Sequence, residues 1–172
     1  LPGDRFNSHR MNMVELDDYH RAIKEAQQTF PDVRVLAGLE CEDFEDCRSF
    51  YEDEILGQRN FDYLIGAGHF TPLRDQWEDS YFGMTSAAKL RAYSDHLCDL
   101  TESSLYLFIA HPDVFGLSSE HWNEDLKACS QDILAAAEAN QKPLEINGGG
   151  IRKLAQRSGE EAHPGFPLRE FW

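Results

Sequence analysis

Short apolar runs that alternate with helical patterns are the feature that most constrains how this chain can fold. The runs occupy residues 34–39, 61–68, 105–110 and 144–147. Their length and their content of β-branched and aromatic residues are typical of buried strands. Because buried strands separated by helical connections form parallel sheets, we expect an α/β fold.

Three segments carry apolar residues at helical spacing. The first begins near Met13 and ends before Pro31, which cannot continue a helix. The second begins near Ser86. The third follows Ser118 or Ser119, either of which is placed to cap it.

One connection differs from the others in length and composition. Residues 71–84 are rich in acidic and aromatic side chains, with Pro72 near the beginning. We expect a long, irregular loop here. Loops of this kind that follow a strand end often carry function.

The acidic composition limits the ligands that the chain can bind. Its 16 Lys and Arg against 31 Asp and Glu give a formal net charge of −15. Binding to long nucleic acids needs clustered basic side chains, so the charge argues against it. An anionic substrate remains compatible if bound metal ions reverse the local field.

Cysteine spacing and hydropathy bear on the cellular location of the protein. Cys41, Cys47, Cys98 and Cys129 lack the close spacing of zinc ligands, which disfavours a metal or redox pair at Cys41 and Cys47. We expect reduced thiols in a cytoplasmic protein. No apolar run approaches the ~18 residues that cross a bilayer, so we expect no membrane partner.

Four polar residues stand where the predicted strands end: Glu40, His69, His111 and Asn147. Active sites of parallel α/β folds are built at this edge of the sheet. One carboxylate and two imidazoles suit Zn, Mn or Fe. We therefore predict that Glu40, His69 and His111 form a metal site.

Other polar residues near these positions receive less specific predictions. The acidic residues after Glu40 are expected to form a solvated loop: Glu42, Asp43, Glu45 and Asp46. Asp113 could orient His111 from behind or cap the following turn. The remaining histidines lie outside predicted strand ends and are expected to be structural or exposed: His9, His20, His96, His121 and His163.

The last apolar run leads into three glycines. Residues 148–150 could let backbone amides approach an anion, and Arg152 follows with a guanidinium that suits phosphate. The run lacks the Lys and Ser/Thr of a nucleotide-binding P-loop, and a glycine run is more commonly a turn. We predict Arg152 as a substrate-binding residue.

The sequence resembles the PHP (polymerase and histidinol phosphatase) superfamily, and its histidinol-phosphatase branch in particular. Four stretches carry the resemblance in order: GLE at 38–40, DYLIGAGHF at 62–70, IAHPD at 109–113, and LEIN at 144–147 with GIRK at 150–153. The resemblance implies a distorted TIM-like barrel of seven parallel strands and helices, with up to three divalent ions at its C-terminal rim.

The resemblance also implies residue roles. Glu40 would match the family's bridging carboxylate, and His69 and His111 would match two histidine ligands. Arg152 would match a basic residue near the substrate phosphate. The catalytic contribution of Glu40, His69 and His111 would then act through the metals that they bind.

The chain departs from the family pattern at both ends. The family opens with a His-any-His pair and closes with an Asp-any-His pair, whereas this chain does neither. A barrel of this type typically needs about 250 residues. We expect residues 1–172 to form a single domain that is the central portion of a PHP-type barrel.

The function that the resemblance implies is metal-dependent hydrolysis of a phosphate monoester. Histidinol phosphate, in histidine biosynthesis, is the first candidate for this small phosphorylated substrate. One alternative is another PHP-type phosphoesterase, with a nucleotide or exonuclease substrate. A second alternative is a degenerate, non-catalytic domain that binds a metal or a partner.

Overall fold

Helices and short strands alternate along the chain, as the apolar runs predict. The computed structural model describes residues 11–74, 76–156 and 167–172. Its longer elements are α1 (Met13–Thr29), β1 (Gly38–Glu42), a π-helix (Phe50–Gln58), β2 (Tyr63–Ala67), β3 (Phe70–Leu73), β4 (Gln76–Asp79), α2 (Ala87–Glu102), β5 (Tyr106–Ile109), α3 (Glu124–Ala139) and α4 (Gly148–Gln156). Short 3-10 turns occupy Glu45–Cys47 and Val114–Ser118.

The described chain divides into two compact units. One contains residues up to 39 together with 44–64, and the other contains residues 40–43 and the chain from 65 onward. The prediction of a single domain over residues 1–172 stays a prediction.

Three strands form a parallel sheet in the order β1-β2-β5, which confirms an α/β fold. The predicted fourth strand is reduced to one parallel bridge between Leu144 and Ile109. Two hydrogen bonds hold it: Ile109 N–H to Pro143 O at 3.0 Å and Glu145 N–H to Ile109 O at 2.9 Å. A complete seven-stranded barrel stays a prediction.

The first strand begins later than residues 34–39 predict. Just before this strand, both backbone polar groups of Ala37 are bonded to Asp62. The Asp62 carboxylate accepts the Ala37 N–H at 2.7 Å, and the Asp62 N–H donates to Ala37 O at 2.8 Å. Strand pairing then starts at Gly38 and continues to Glu42. The strand therefore includes Glu40 and Glu42, which the prediction had assigned to the strand end and to a solvated loop.

Residues 71–84 are not the irregular loop that their composition predicts. β3 and β4 form an antiparallel hairpin in which Thr71 pairs with Glu78 and Pro72 with Trp77. Thr71 and Ser80 are buried, and their hydroxyls lie 2.9 Å apart. A two-stranded ribbon tolerates Pro72 because a proline on an edge need not donate to a neighbouring strand.

The first two predicted helices are confirmed. Asn12 caps α1, and Glu15 completes a capping box. α2 begins next to Ser86, as the sequence predicts, and the Ser86 hydroxyl caps it by accepting the Lys89 N–H. The apolar face of α2 packs against α3.

The start of α3 corrects the sequence prediction. Asn123, rather than Ser118 or Ser119, caps this helix by accepting the Leu126 N–H. Ser118 is occupied elsewhere: its hydroxyl accepts the Met84 N–H at 2.9 Å and donates to Tyr81 O at 3.1 Å. It ends a 3-10 turn instead of starting a helix.

The cysteines form no disulfide in the described structure, and their reduced state stays a prediction. Burial raises the pKa of the thiol of Cys98, and it also raises that of Cys129. Among the residues that the structure describes, no helix has the length and apolar character needed to span a bilayer.

Leu97 tests the packing between α2 and its surroundings. Its side chain is fully buried and lies beside Gly68. We expect Leu97→Ala to lower the free energy of unfolding by about 2–5 kcal/mol because it leaves a cavity. The same substitution at Leu107, which is 57% exposed, should change it by less than about 0.5 kcal/mol. Denaturant unfolding measures both variants, and an equal loss of unfolding free energy in the two would contradict this packing.

Candidate metal centre

Three predicted ligands converge at the edge of the sheet. Glu40 lies in β1, and His69 and His111 follow the ends of β2 and β5. One ligand atom from each residue lies within 4.8 Å of the others. His69 Nε2 is 3.2 Å from His111 Nε2 and 3.3 Å from Glu40 Oε1, and His111 Nε2 is 3.6 Å from that oxygen.

The donor atoms fit a divalent cation. Ligands that bind tetrahedral zinc at about 2.0–2.1 Å lie about 3.3 Å from one another, which is close to the spacing here. A cation between the two Nε2 atoms would accept a lone pair from each imidazole, in the tautomers that carry the proton on Nδ1. Carboxylate and imidazole donors also suit Mn and Fe.

The centre is open on the carboxylate side. The Glu40 side chain is 44% exposed, whereas His69 is 24% and His111 is 7% exposed. Solvent therefore reaches Glu40 most readily, whereas His111 is almost fully shielded.

The backbone of His111 is held in an uncommon conformation. Its φ of 31° lies in the left-handed region, which residues other than glycine rarely adopt. The His111 N–H donates to Glu145 Oε2 at 3.0 Å, and the preceding Ala110 N–H donates to Gly66 O at 2.8 Å. Such strain persists where surrounding contacts fix it, and it concentrates at functional sites.

The prediction of a solvated acidic loop is wrong for Glu42 and Asp43. Glu42 is 1% exposed, and its Oε1 contacts His69 Nδ1. Asp43 is also buried and accepts a hydrogen bond from the Tyr106 hydroxyl at 2.9 Å. Glu45 and Asp46 are exposed, as predicted. Alternation along a strand places Glu40 and Glu42 on one face, a signal that the sequence already contained.

Tyr81 is a second residue that the sequence interpretation missed. Its ring stacks on His69 at a centroid distance of 5.7 Å and an angle of 8°. Burial, followed by the charges of Glu40 and Glu42, raises the pKa of the Tyr81 hydroxyl. The hairpin that replaces the predicted loop brings Tyr81 to this position.

Asp113 lies at the N-cap position of the Val114–Ser118 turn, but its side chain makes no capping hydrogen bond there, and its role in orienting His111 stays a prediction. Its Oδ2 accepts hydrogen bonds from Leu168 N–H at 2.6 Å and from Trp172 Nε1–H at 3.1 Å. Burial raises the pKa of Asp113, and these hydrogen bonds act in the opposite direction. The carboxylate thus fixes residues 167–172 close to the loop that carries His111.

The structure gives Asn147 and the glycine run a structural role. Asn147 Oδ1 accepts the Gly150 N–H at 2.8 Å, and its amide donates to Glu145 Oε1 at 3.3 Å. The glycines form the first turn of α4. Arg152 is exposed, with its guanidinium close to Gly148 and Gly149. Its contact with a substrate phosphate stays a prediction.

Three other histidines have the structural or exposed positions that were expected. His20 lies against Phe61 with ring centroids 5.1 Å apart, and His96 meets Trp77 edge-on at 5.9 Å. His121 is exposed. The predictions for His9 and His163 lie outside the described residues.

Glu145 provides a test of how His111 is held. Glu145→Ala removes the acceptor of the His111 N–H, and we expect it to lower the free energy of unfolding by about 1–3 kcal/mol. Glu145→Gln keeps an amide oxygen as acceptor and should lower the free energy of unfolding by less than the alanine substitution. Denaturant unfolding of both variants checks this order, and an alanine variant as stable as the wild type would contradict it.

Comparison with known proteins identifies the family. The PHP domain model matches residues 8–149. The crystal structure of the "putative histidinol phosphatase hisK" from Listeria monocytogenes has a TM-score of 0.69 at 16% identity, covering 94% of this chain and 66% of that chain. At this identity the likeness concerns the fold, and this chain spans just under two thirds of that protein. A search of curated proteins finds no match. Because the PHP domain model matches residues 8–149, which is most of this chain, the chain belongs to the PHP domain family.

Proposed function

We propose that the protein is a metal-dependent phosphoesterase that hydrolyses a phosphate monoester. The observation that carries this proposal is the convergence of Glu40 Oε1, His69 Nε2 and His111 Nε2 within 4.8 Å in a chain of the PHP family. Zn, Mn or Fe would be held by these residues, with up to three ions in the intact family site.

Divalent ions bound here would supply positive charge that polarises phosphate oxygens and activates water. The contribution of the chain is to hold the donor atoms in place. His69 and His111 present their Nε2 atoms from two neighbouring strand ends, and Glu40 adds a negative charge at the exposed side. Tyr81 stacks on one face of the His69 ring.

Recognition of the phosphate would involve Arg152. Its guanidinium is exposed and has the planar set of donors that suits a phosphate. In a chain with a net charge of −15, a local cation is needed to attract an anionic group. This role is a proposal for the intact site.

Histidinol phosphate is the proposed substrate, and histidine biosynthesis the proposed pathway. The name of the Listeria monocytogenes protein supports this choice. A cytoplasmic location is also proposed, because the cysteine spacing favours reduced thiols.

Alanine substitutions at the centre test the proposal. Glu40→Ala and His69→Ala should each abolish metal-dependent release of inorganic phosphate, a larger effect than the about 10–100-fold loss caused by removing an outer partner of a ligand. His121→Ala, at an exposed histidine away from strand ends, should retain activity. Normal turnover by either centre variant would contradict the assignment.

A substrate comparison tests the finer part of the proposal. Histidinol phosphate, nucleoside monophosphates and single-stranded DNA are offered to the same metal-loaded enzyme, and released phosphate or nucleotide is measured. We expect the highest kcat/KM for histidinol phosphate. A preference for nucleotides would replace the substrate but keep the chemistry, whereas metal binding without any hydrolysis would indicate the degenerate domain.

A further inference from the structure

We propose that Glu42 is a positioning residue for the metal centre. Its carboxylate holds His69 in the tautomer that carries a proton on Nδ1 and a lone pair on Nε2. This inference rests on the proposed function, because it concerns the same metal site. It assigns a role to a residue of the acidic segment that lies outside the three proposed ligands.

The two nitrogens of His69 face different partners. Nδ1 contacts Glu42 Oε1, whereas Nε2 lies 3.3 Å from Glu40 Oε1 and 3.2 Å from His111 Nε2. A carboxylate oxygen accepts hydrogen bonds, so Nδ1 is the donor in the first contact. Nε2 also lies near a carboxylate, but its 3.3 Å separation from Glu40 Oε1 is longer than the Nδ1 contact, and Glu40 is 44% exposed whereas Glu42 is buried. We therefore assign the one N–H of the neutral imidazole to Nδ1 and the lone pair to Nε2. This is the nitrogen that faces the other two proposed ligands.

Burial separates Glu42 from the exposed part of the centre. Its side chain is 1% exposed, against 44% for Glu40. An incoming substrate therefore meets Glu40 and not Glu42. Away from water the bond between Glu42 and His69 is stronger, because the local dielectric constant is low.

The orientation of the His69 ring is fixed from two directions. Glu42 holds one edge of the ring, and Tyr81 stacks on one face at 5.7 Å. Glu42 lies in β1, so its backbone is fixed by the sheet. Outer carboxylates of this kind orient a histidine ligand and raise its basicity.

Metal affinity is the first test. Glu42→Gln replaces the carboxylate by an amide, which can donate as well as accept and so does not impose a tautomer. We expect its affinity for Zn²⁺ and Mn²⁺, measured by competition with a chromogenic chelator, to fall by about 10–100-fold. Glu45→Gln removes the same charge from an exposed position nearby in the sequence. Its metal affinity should stay within about twofold of the wild-type value. Equal affinities for the two variants would overturn the proposal.

The tautomer of His69 is the second test, and it needs no substitution in the acidic segment. Imidazole ¹⁵N chemical shifts, assigned by comparison with His69→Gln, are recorded for the wild type without metal and with Zn²⁺. We expect Nδ1 to carry the proton in both states and Nε2 to shift when Zn²⁺ binds. A proton on Nε2 in the metal-free protein would overturn the proposal, whatever the variants do.

The two readouts separate this inference from the proposed function. A wild type that binds Zn²⁺ with the expected tautomer but hydrolyses no phosphoester contradicts the function and supports the role of Glu42. A Glu42→Gln variant that loses hydrolysis while its metal affinity and His69 tautomer match the wild type contradicts the role of Glu42 and supports the function.

Discussion

The pairing of β2 with β5 is the constraint on which the candidate centre depends. The Ala110 N–H donates to Gly66 O at 2.8 Å and sets the register of the two strands. His111 follows Ala110 directly and His69 lies three residues after Gly66, so both side chains emerge at one edge. Their Nε2 atoms then meet at 3.2 Å. The left-handed backbone of His111, bonded to Glu145, completes this approach.

The spacing of the three donor atoms suits a bound cation. Two imidazole Nε2 atoms and one carboxylate oxygen lie 3.2–3.6 Å apart, so a cation among them would contact all three. Positive charge at that point would let a protein of net charge −15 attract the proposed phosphate substrate. The acidity of the chain and its proposed anionic substrate are therefore compatible, because the metal and not the surface would supply the attraction.

Much of this could be predicted from the sequence, and the failures have physical causes. The strand ends at His69 and His111 follow from apolar runs, because parallel strands bring their carboxyl ends to one edge. Glu42 was assigned to a solvated loop because an acidic run resembles one, and its burial depends on a partner 27 residues away. The β3–β4 hairpin was missed for a similar reason: buried polar contacts such as Thr71 with Ser80 leave no hydrophobic periodicity.

The central claim is that Glu40, His69 and His111 bind one divalent ion, and X-ray absorption spectroscopy of the zinc-loaded protein tests it most directly. The account predicts a first coordination sphere of nitrogen and oxygen at about 2.0–2.2 Å, with the outer scattering of two imidazoles from these residues. His69→Ala should reduce that scattering by one imidazole. Zinc bound through sulfur, or a spectrum that His69→Ala leaves unchanged, would contradict the account.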